Sequence, residues 1–141
     1  MAKKKVIVSF DYEHDKNYYY LLKAWDANKD FDFYFSDLTP DEIQSESVST
    51  VKQVLSSKIH QANYMIAIIG AHSNDIHPDH KEIGHNNWQA YEIAKNHEWG
   101  NGLVVVKIDR SYSAPIEAYL SNANMVLSFN EADVIEALNS L

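Results

Sequence analysis

The chain has 141 residues, enough for one domain, and 45% hydrophobic with 23% charged residues is the composition of a folded protein, not a disordered one. Twenty acidic against twelve basic residues give a net charge of -8, which repels phosphate backbones, so no nucleic-acid partner and no membrane partner is expected. There is no cysteine, which excludes disulfides, thiol catalysis and cysteine-based zinc sites and fits a reducing cytosol. Arg110 is the only arginine, so any phosphate must be met by backbone N–H groups at helix starts or by lysine. The apolar run after Lys3-Lys4-Lys5 is only Val6-Ile7-Val8. A secretory leader needs ~7–15 such residues and a membrane span ~20. The reading is a soluble, cytoplasmic protein.

Val6-Ile7-Val8-Ser9-Phe10 is a short β-branched run, apolar on both faces, as in a buried parallel strand. Tyr18, Leu21, Leu22 and Trp25 then fall on one helical stripe, with Asp15 as the expected N-cap. Phe31–Phe35 reads as a second strand. Thr39-Pro40-Asp41-Glu42 has the capping-box pattern that starts a helical turn. Val48, Val51, Leu55 and Ile59 make the next helical stripe, and Tyr64–Ile69 a third strand ended by Gly70. Residues 71–87 show no period. A helix is expected over Trp88–His97, a strand over Leu103–Ile108 and a short helix over Ile116–Leu120. Met125–Phe129 reads as a fifth strand, and Asn130 caps a last helix that turns Val134, Ile135 and Leu138 inward.

Strands alternating with helices imply an open parallel sheet covered on both faces, with right-handed crossovers. Five strands suggest the flavodoxin-like order 2-1-3-4-5, whose ligand crevice lies beyond the carboxyl ends of the strands, near the switch between strands one and three. Single-domain α/β architecture over residues 1–141 is therefore the fold expected. Asp11 and Asp37 follow strands one and two, as the magnesium-binding acids of response regulators do. Strand three ends in Gly70-Ala71-His72 with no aspartate, which argues against a phospho-acceptor. His72, His77, His80 and His85 crowd the segment after it. The His77-x-x-His80 spacing matches no established zinc motif, and no metal is expected. Asn74–Asn87 reads as a mobile or poorly packed segment at the mouth of the crevice. No G-x-G-x-x-G, P-loop or G-x-S-x-G is present, so a Rossmann dehydrogenase, an NTPase and an α/β-hydrolase lack support. On a helical wheel Ala90, Ile93 and Ala94 form the inward stripe of the Trp88 helix, and Trp88, Glu92, Lys95 and Trp99 the opposite one. Glu92 then admits two readings: a carboxylate that holds a sugar beside Trp88, or a solvated acid paired with Lys95.

Three stretches together resemble TIR domains, most closely the TIR-like family of Thoeris anti-phage signalling proteins. Lys5–Tyr12 is similar to the first TIR box, an apolar strand followed by Ser-aromatic. Leu21–Asn28 is similar to the first helix of the TIR-like subfamily. Trp88-Gln89-Ala90-Tyr91-Glu92-Ile93 fits the pattern Trp-x-x-x-Glu-Ile/Leu. The resemblance implies that Glu92 is the catalytic acid of an enzyme that cleaves NAD⁺ between nicotinamide and ribose. It implies substrate contacts from Ser9, Phe10, Asp11, Ser36, Asp37, His72 and Trp88. It implies no cofactor, since NAD⁺ is the substrate, and a cyclic ADP-ribose-type messenger as the product. The partners implied are a second copy of the chain on activation, an effector protein reached through the messenger, and a phage component as trigger. The alternative is a non-enzymatic TIR module that acts by self-association.

Overall fold

Val6, Ile7 and Val8 are the centre of the first strand, β1 (Lys4–Ser9), and are almost wholly inaccessible. A computed structural model describes residues 3–28, 31–38 and 47–141 of the protein. In it β1 pairs in parallel with β2 (Phe33–Asp37) on one side and β3 (Tyr64–Ile69) on the other. β4 (Gly102–Lys107) and β5 (Asn124–Val126) extend the sheet beyond β3, also in parallel. The order is β2-β1-β3-β4-β5, as the alternation of elements implies.

Because side chains alternate along a strand, each strand feeds two cores. Val6, Val8, Ile66, Ile68, Val104 and Val106 face α1 (Tyr12–Asp26) and α5 (Glu131–Asn139). Ile7, Met65, Ala67, Ile69, Leu103 and Val105 face α2 (Val48–Gln61) and α4 (Trp88–Trp99). On α2 the stripe Val51, Leu55, Ile59 is buried as its spacing predicts, each side chain contributing about 1.5–3 kcal/mol of apolar transfer. The same alternation puts Ser9 on the α4 side at the carboxyl end of β1, following Ile7 on that face. Among the described residues no helix is long and apolar enough to cross a membrane.

Several local expectations are corrected. The N-cap of α1 is Asp11, not Asp15; the Asp11 carboxylate accepts from the N–H groups of Glu13 and His14. The helix starts earlier because the chain turns directly out of β1. Leu21 is 48% exposed, and the buried residues of α1 are Asp15, Leu22 and Asp26. Asp26 is held by contacts with Phe35 N–H (2.8 Å) and Lys23 Nζ (3.1 Å), so it ties α1 to β2. β2 begins at Phe33, and Phe31 N–H donates to Asn28 O rather than to β1. β5 is three residues long and Leu127 is exposed. Residues 117–120 form a 3₁₀ turn. The capping sequence at Thr39–Glu42 lies outside the described residues.

Asn74–Asn87 lies at the crevice and is mostly exposed, as expected, with Ile76 66% exposed and Ile83 its one buried residue. It contains a short helix, α3 (His80–Ile83), closed by Gly84 at φ 83, a left-handed conformation that glycine adopts without strain. Ile83 is 1% exposed and anchors the segment in the α2/α4 core.

Candidate functional site

A cleft of about 360 Å³ opens beyond the carboxyl ends of β1 and β3, where the strand order reverses. Phe10, Tyr12 and Trp88 give it aromatic walls. Phe10 is backed by Tyr19, ring on ring at 5.1 Å, and Trp88 stands edge-on to Tyr91 at 5.7 Å. Asp11, Glu13 and Asp75 make its rim acidic. α4 is held against this mouth by Asn87, its N-cap. The Asn87 side-chain oxygen accepts from Ala90 N–H, and its amide donates to the carbonyls of Ser73 and Asp75. One side chain thus starts the helix and pins the loop before it.

Two histidines meet at this rim. His14, from the first turn of α1, and His72, from the loop after β3, stack with ring centroids 3.7 Å apart. Each has a carboxylate on Nδ1: Asp11 at 2.9 Å for His14, Asp75 at 2.8 Å for His72. The hydrogen bond that Asp11 accepts from His14, opposed by partial desolvation, raises the His14 pKa above the ordinary histidine value. Beneath the pair, Asp15 is buried against Gly70, where an added Cβ would overlap its carboxylate. Its Oδ2 has no hydrogen-bond partner, and burial, then the charge of Asp11, raises its pKa.

Glu92 is 1% exposed. This corrects the helical-wheel expectation of an outward carboxylate. The inward face of α4 is Gln89, Ala90, Tyr91, Glu92, Ile93 and Asn96, half of it polar, so hydropathy alone turned the wheel the wrong way. Lys95 pairs with Glu98 at 3.0 Å instead of Glu92. The partner of Glu92 is Ser9, whose hydroxyl donates to Oε1 at 2.7 Å. Oε2 has no hydrogen-bond partner. Burial pushes the Glu92 carboxyl well above the usual carboxylate range; the Ser9 hydrogen bond and Lys58 oppose this and Asp37 adds to it.

The residues singled out in the sequence therefore divide. Phe10, Asp11, His72 and Trp88 line the cleft together. Ser9 and Glu92 form a hydrogen-bonded pair behind it, and Gln89, which does line it, stands one helical turn before Glu92. Ser36 and Asp37 are not brought to the cleft. They pair with Ile7 and Val8 on the β2 side of β1, whereas the cleft lies on the β3 side. His77 and His80 spend their Nδ1 atoms on local backbone, with Asp79 N–H and His77 O. Nothing in the sequence marks Gln89, Asn87, His14 and Asp15 as members of one site; only the fold brings them together.

No curated protein matches the sequence. Solved structures share the fold. A 2-deoxyribosyltransferase from Leishmania mexicana matches at TM-score 0.62 and 16% identity, over 96% of this chain and 97% of its own. The CMP N-glycosidase of Clostridium botulinum matches at 0.57 and 14%, over 98% of this chain and 100% of its own. A 2-deoxyribosyltransferase from Bacillus psychrosaccharolyticus matches at 0.55 and 14%, over 94% and 90%. The profile of the family described as Thoeris protein ThsB, TIR-like domain, matches residues 7–113, the span that holds the cleft, the Ser9–Glu92 pair and the Trp88-x-x-x-Glu92 motif, and the chain belongs to that family.

Proposed function

We propose that this TIR-like protein cleaves NAD⁺ at the bond between nicotinamide and ribose, with Glu92 as the acting carboxylate. The observation that carries the reading is the placement of Glu92. It is a buried carboxyl on α4, fixed by Ser9 at 2.7 Å, directly behind a cleft with aromatic walls and an acidic rim. Aromatic faces and carboxylates are the chemistry that receives a flat cation such as pyridinium. The leaving nicotinamide departs neutral, so no general acid is required. Charge develops on the ribose as an oxocarbenium, and an ionised carboxylate in a low-dielectric pocket stabilises it. Three neighbours in fold are named for deoxyribosyl transfer or N-glycoside cleavage, and the bond proposed here is also N-glycosidic. Water as acceptor gives ADP-ribose; an internal nucleophile gives a cyclic isomer, which suits a messenger in Thoeris signalling.

The burial of Glu92 favours a second reading for the isolated chain, that of a TIR module acting by association. The assay is nicotinamide release from NAD⁺ by the wild type and Glu92→Gln, run on the resting protein and on assembled protein. Release that depends on Glu92 supports the enzyme. Release from neither preparation, with assembly intact, supports the module.

A further inference from the structure

Gln89 and Glu92 lie one turn apart on α4 and both reach Ser9: Gln89 Nε2 donates to the Ser9 carbonyl at 3.1 Å, and Glu92 accepts from the Ser9 hydroxyl. Gln89 Nε2 also donates to the Ile68 carbonyl at 2.8 Å. Both of its partners are carbonyls, which only accept, so the amide cannot be flipped and the remaining atom is Oε1. Gln89 is 6% exposed and Glu92 1%. Gln89 Oε1 and Glu92 Oε2 are both buried and neither has a hydrogen-bond partner. Two buried acceptors beside one serine, neither with a partner from the protein, are costly, since burial takes each away from bulk water. A single proton removes both defects. If Glu92 is protonated at Oε2, it becomes a donor; two buried acceptors on the same face of α4 lack one, Gln89 Oε1 and Asn96 Oδ1, and Gln89 is the one that shares Ser9 with Glu92.

We infer that Gln89 is the positioning residue of Glu92: in this resting fold the Glu92 carboxyl is neutral and donates its proton to Gln89 Oε1, which latches the acid out of the cleft. The inference rests on the reading of Glu92 as the acting carboxylate only for its consequence, which is that the resting chain is held inactive. A neutral carboxyl cannot stabilise an oxocarbenium. Activation must break the Glu92–Gln89 contact, release the proton to solvent and expose the ionised group. Gln89 is the element placed to do this, because it lines the cleft on one side and holds the ends of β1 and β3 on the other. The charges acting on Glu92 from neighbouring elements are Asp37 of β2, which favours the proton, and Lys58 of α2, which opposes it. No ion pair joins Glu92 to a lysine among the described residues.

The test is infrared difference spectroscopy on the full chain at neutral pH, wild type minus Glu92→Gln. A protonated-carboxyl stretch that disappears in Glu92→Gln is expected; its absence overturns the inference. In Gln89→Met, which keeps the length but removes the acceptor, that stretch should move to higher frequency, as for a carboxyl without an acceptor, or convert to the carboxylate band. An unchanged band overturns the role of Gln89. If Gln89→Met does not fold, Gln89→Asn, which withdraws the amide by one methylene, is read in the same way. Where nicotinamide release is measurable, loss of the latch should shift the acid limb of its pH profile to lower pH. The spectra stand whether or not NAD⁺ is the substrate, so failure of the latch and failure of the enzymatic reading are separate results.

Discussion

The imidazoles of His14 and His72 lie face to face, 3.7 Å between centroids, each with an aspartate on its Nδ1. The contact joins α1 to the loop after β3 and so spans the cleft at its rim.

The first expectation concerns the charge on this bridge. Asp11 raises the pKa of His14, so protonated His14 is favoured in the folded chain. The contribution to stability is complete below the unfolded histidine value and is lost as pH rises through the raised folded value. Asp11→Asn should return the His14 midpoint towards the ordinary value of about 6.5. The His14 ring proton followed by NMR from pH 5 to 9 reads this; an unmoved midpoint in Asp11→Asn refutes the assignment.

Gly70 allows the close approach of Asp15 to the end of β3. A Cβ there would lie 2.6 Å from Asp15 Oδ1 and 2.7 Å from its Cγ. Gly70→Ala should therefore destabilise by about 1–3 kcal/mol, the usual cost of overpacking. The cause is side chain, not backbone, so the cost should largely vanish in the Asp15→Ala background. A double-mutant cycle in urea measures this; additive losses would place the strain elsewhere.

Asp15 itself titrates against stability. Its folded pKa is raised, first by burial and then by Asp11, with His14 and His72 opposing. Stability from this group is complete below the unfolded aspartate value and is lost as pH climbs through the raised one. Asp15→Asn should gain on the wild type progressively over that window. Urea midpoints taken at half-unit steps from pH 3.5 upward give the comparison, and parallel curves would mean that Asp15 is not shifted.

The fold was legible because its signals are short-range. Val6–Val8, Tyr64–Ile69 and Leu103–Val106 are β-branched or apolar runs of strand length, and their alternation with helices leaves few parallel topologies. The inward side of α4 was not legible. Gln89, Glu92 and Asn96 are buried there through contacts with Ser9, Ile68 and Asn101, and a hydropathy wheel reads such residues as outward. Asp15 and Asp26 hide on α1 in the same way. The family motif singled out Glu92 by its position, while the wheel, which reads only polarity, turned it outward, and it is buried. The stacking of His14 on His72 depends on where two distant loops end, which no local pattern encodes.

Trp88 is expected to act on binding more than on turnover. It forms one wall of the cleft and is backed by Tyr91. Removing an aromatic platform under a flat ring costs about 1–3 kcal/mol. Trp88→Ala should raise KM for NAD⁺ by roughly tenfold or more, with kcat changed much less; Trp88→Phe should recover most of the loss. An equal fall in kcat with KM unmoved would mean that Trp88 supports Glu92 through the helix instead.

Glu92→Gln separates chemistry from folding because the two respond in opposite directions. If the carboxylate stabilises the oxocarbenium, the amide should cut nicotinamide release by about 10²–10³, the typical loss for one such electrostatic contact. Stability should not fall in parallel. The folded pKa of Glu92 is raised, mainly by burial, so its contribution is complete below the unfolded glutamate value and is lost as pH rises towards the folded one. Glutamine has no proton to lose and can still accept from the Ser9 hydroxyl. The variant should therefore match the wild type at acid pH and exceed it as the solution turns alkaline. A solvated glutamate at this position would show neither effect: activity would persist and the two stability curves would run together. Thermal melts across pH 4 to 9, set beside nicotinamide release from the same preparations, decide between them. An inactive variant whose melting temperature falls below that of the wild type at every pH would assign Glu92 to the packing of α4 on β1 rather than to catalysis.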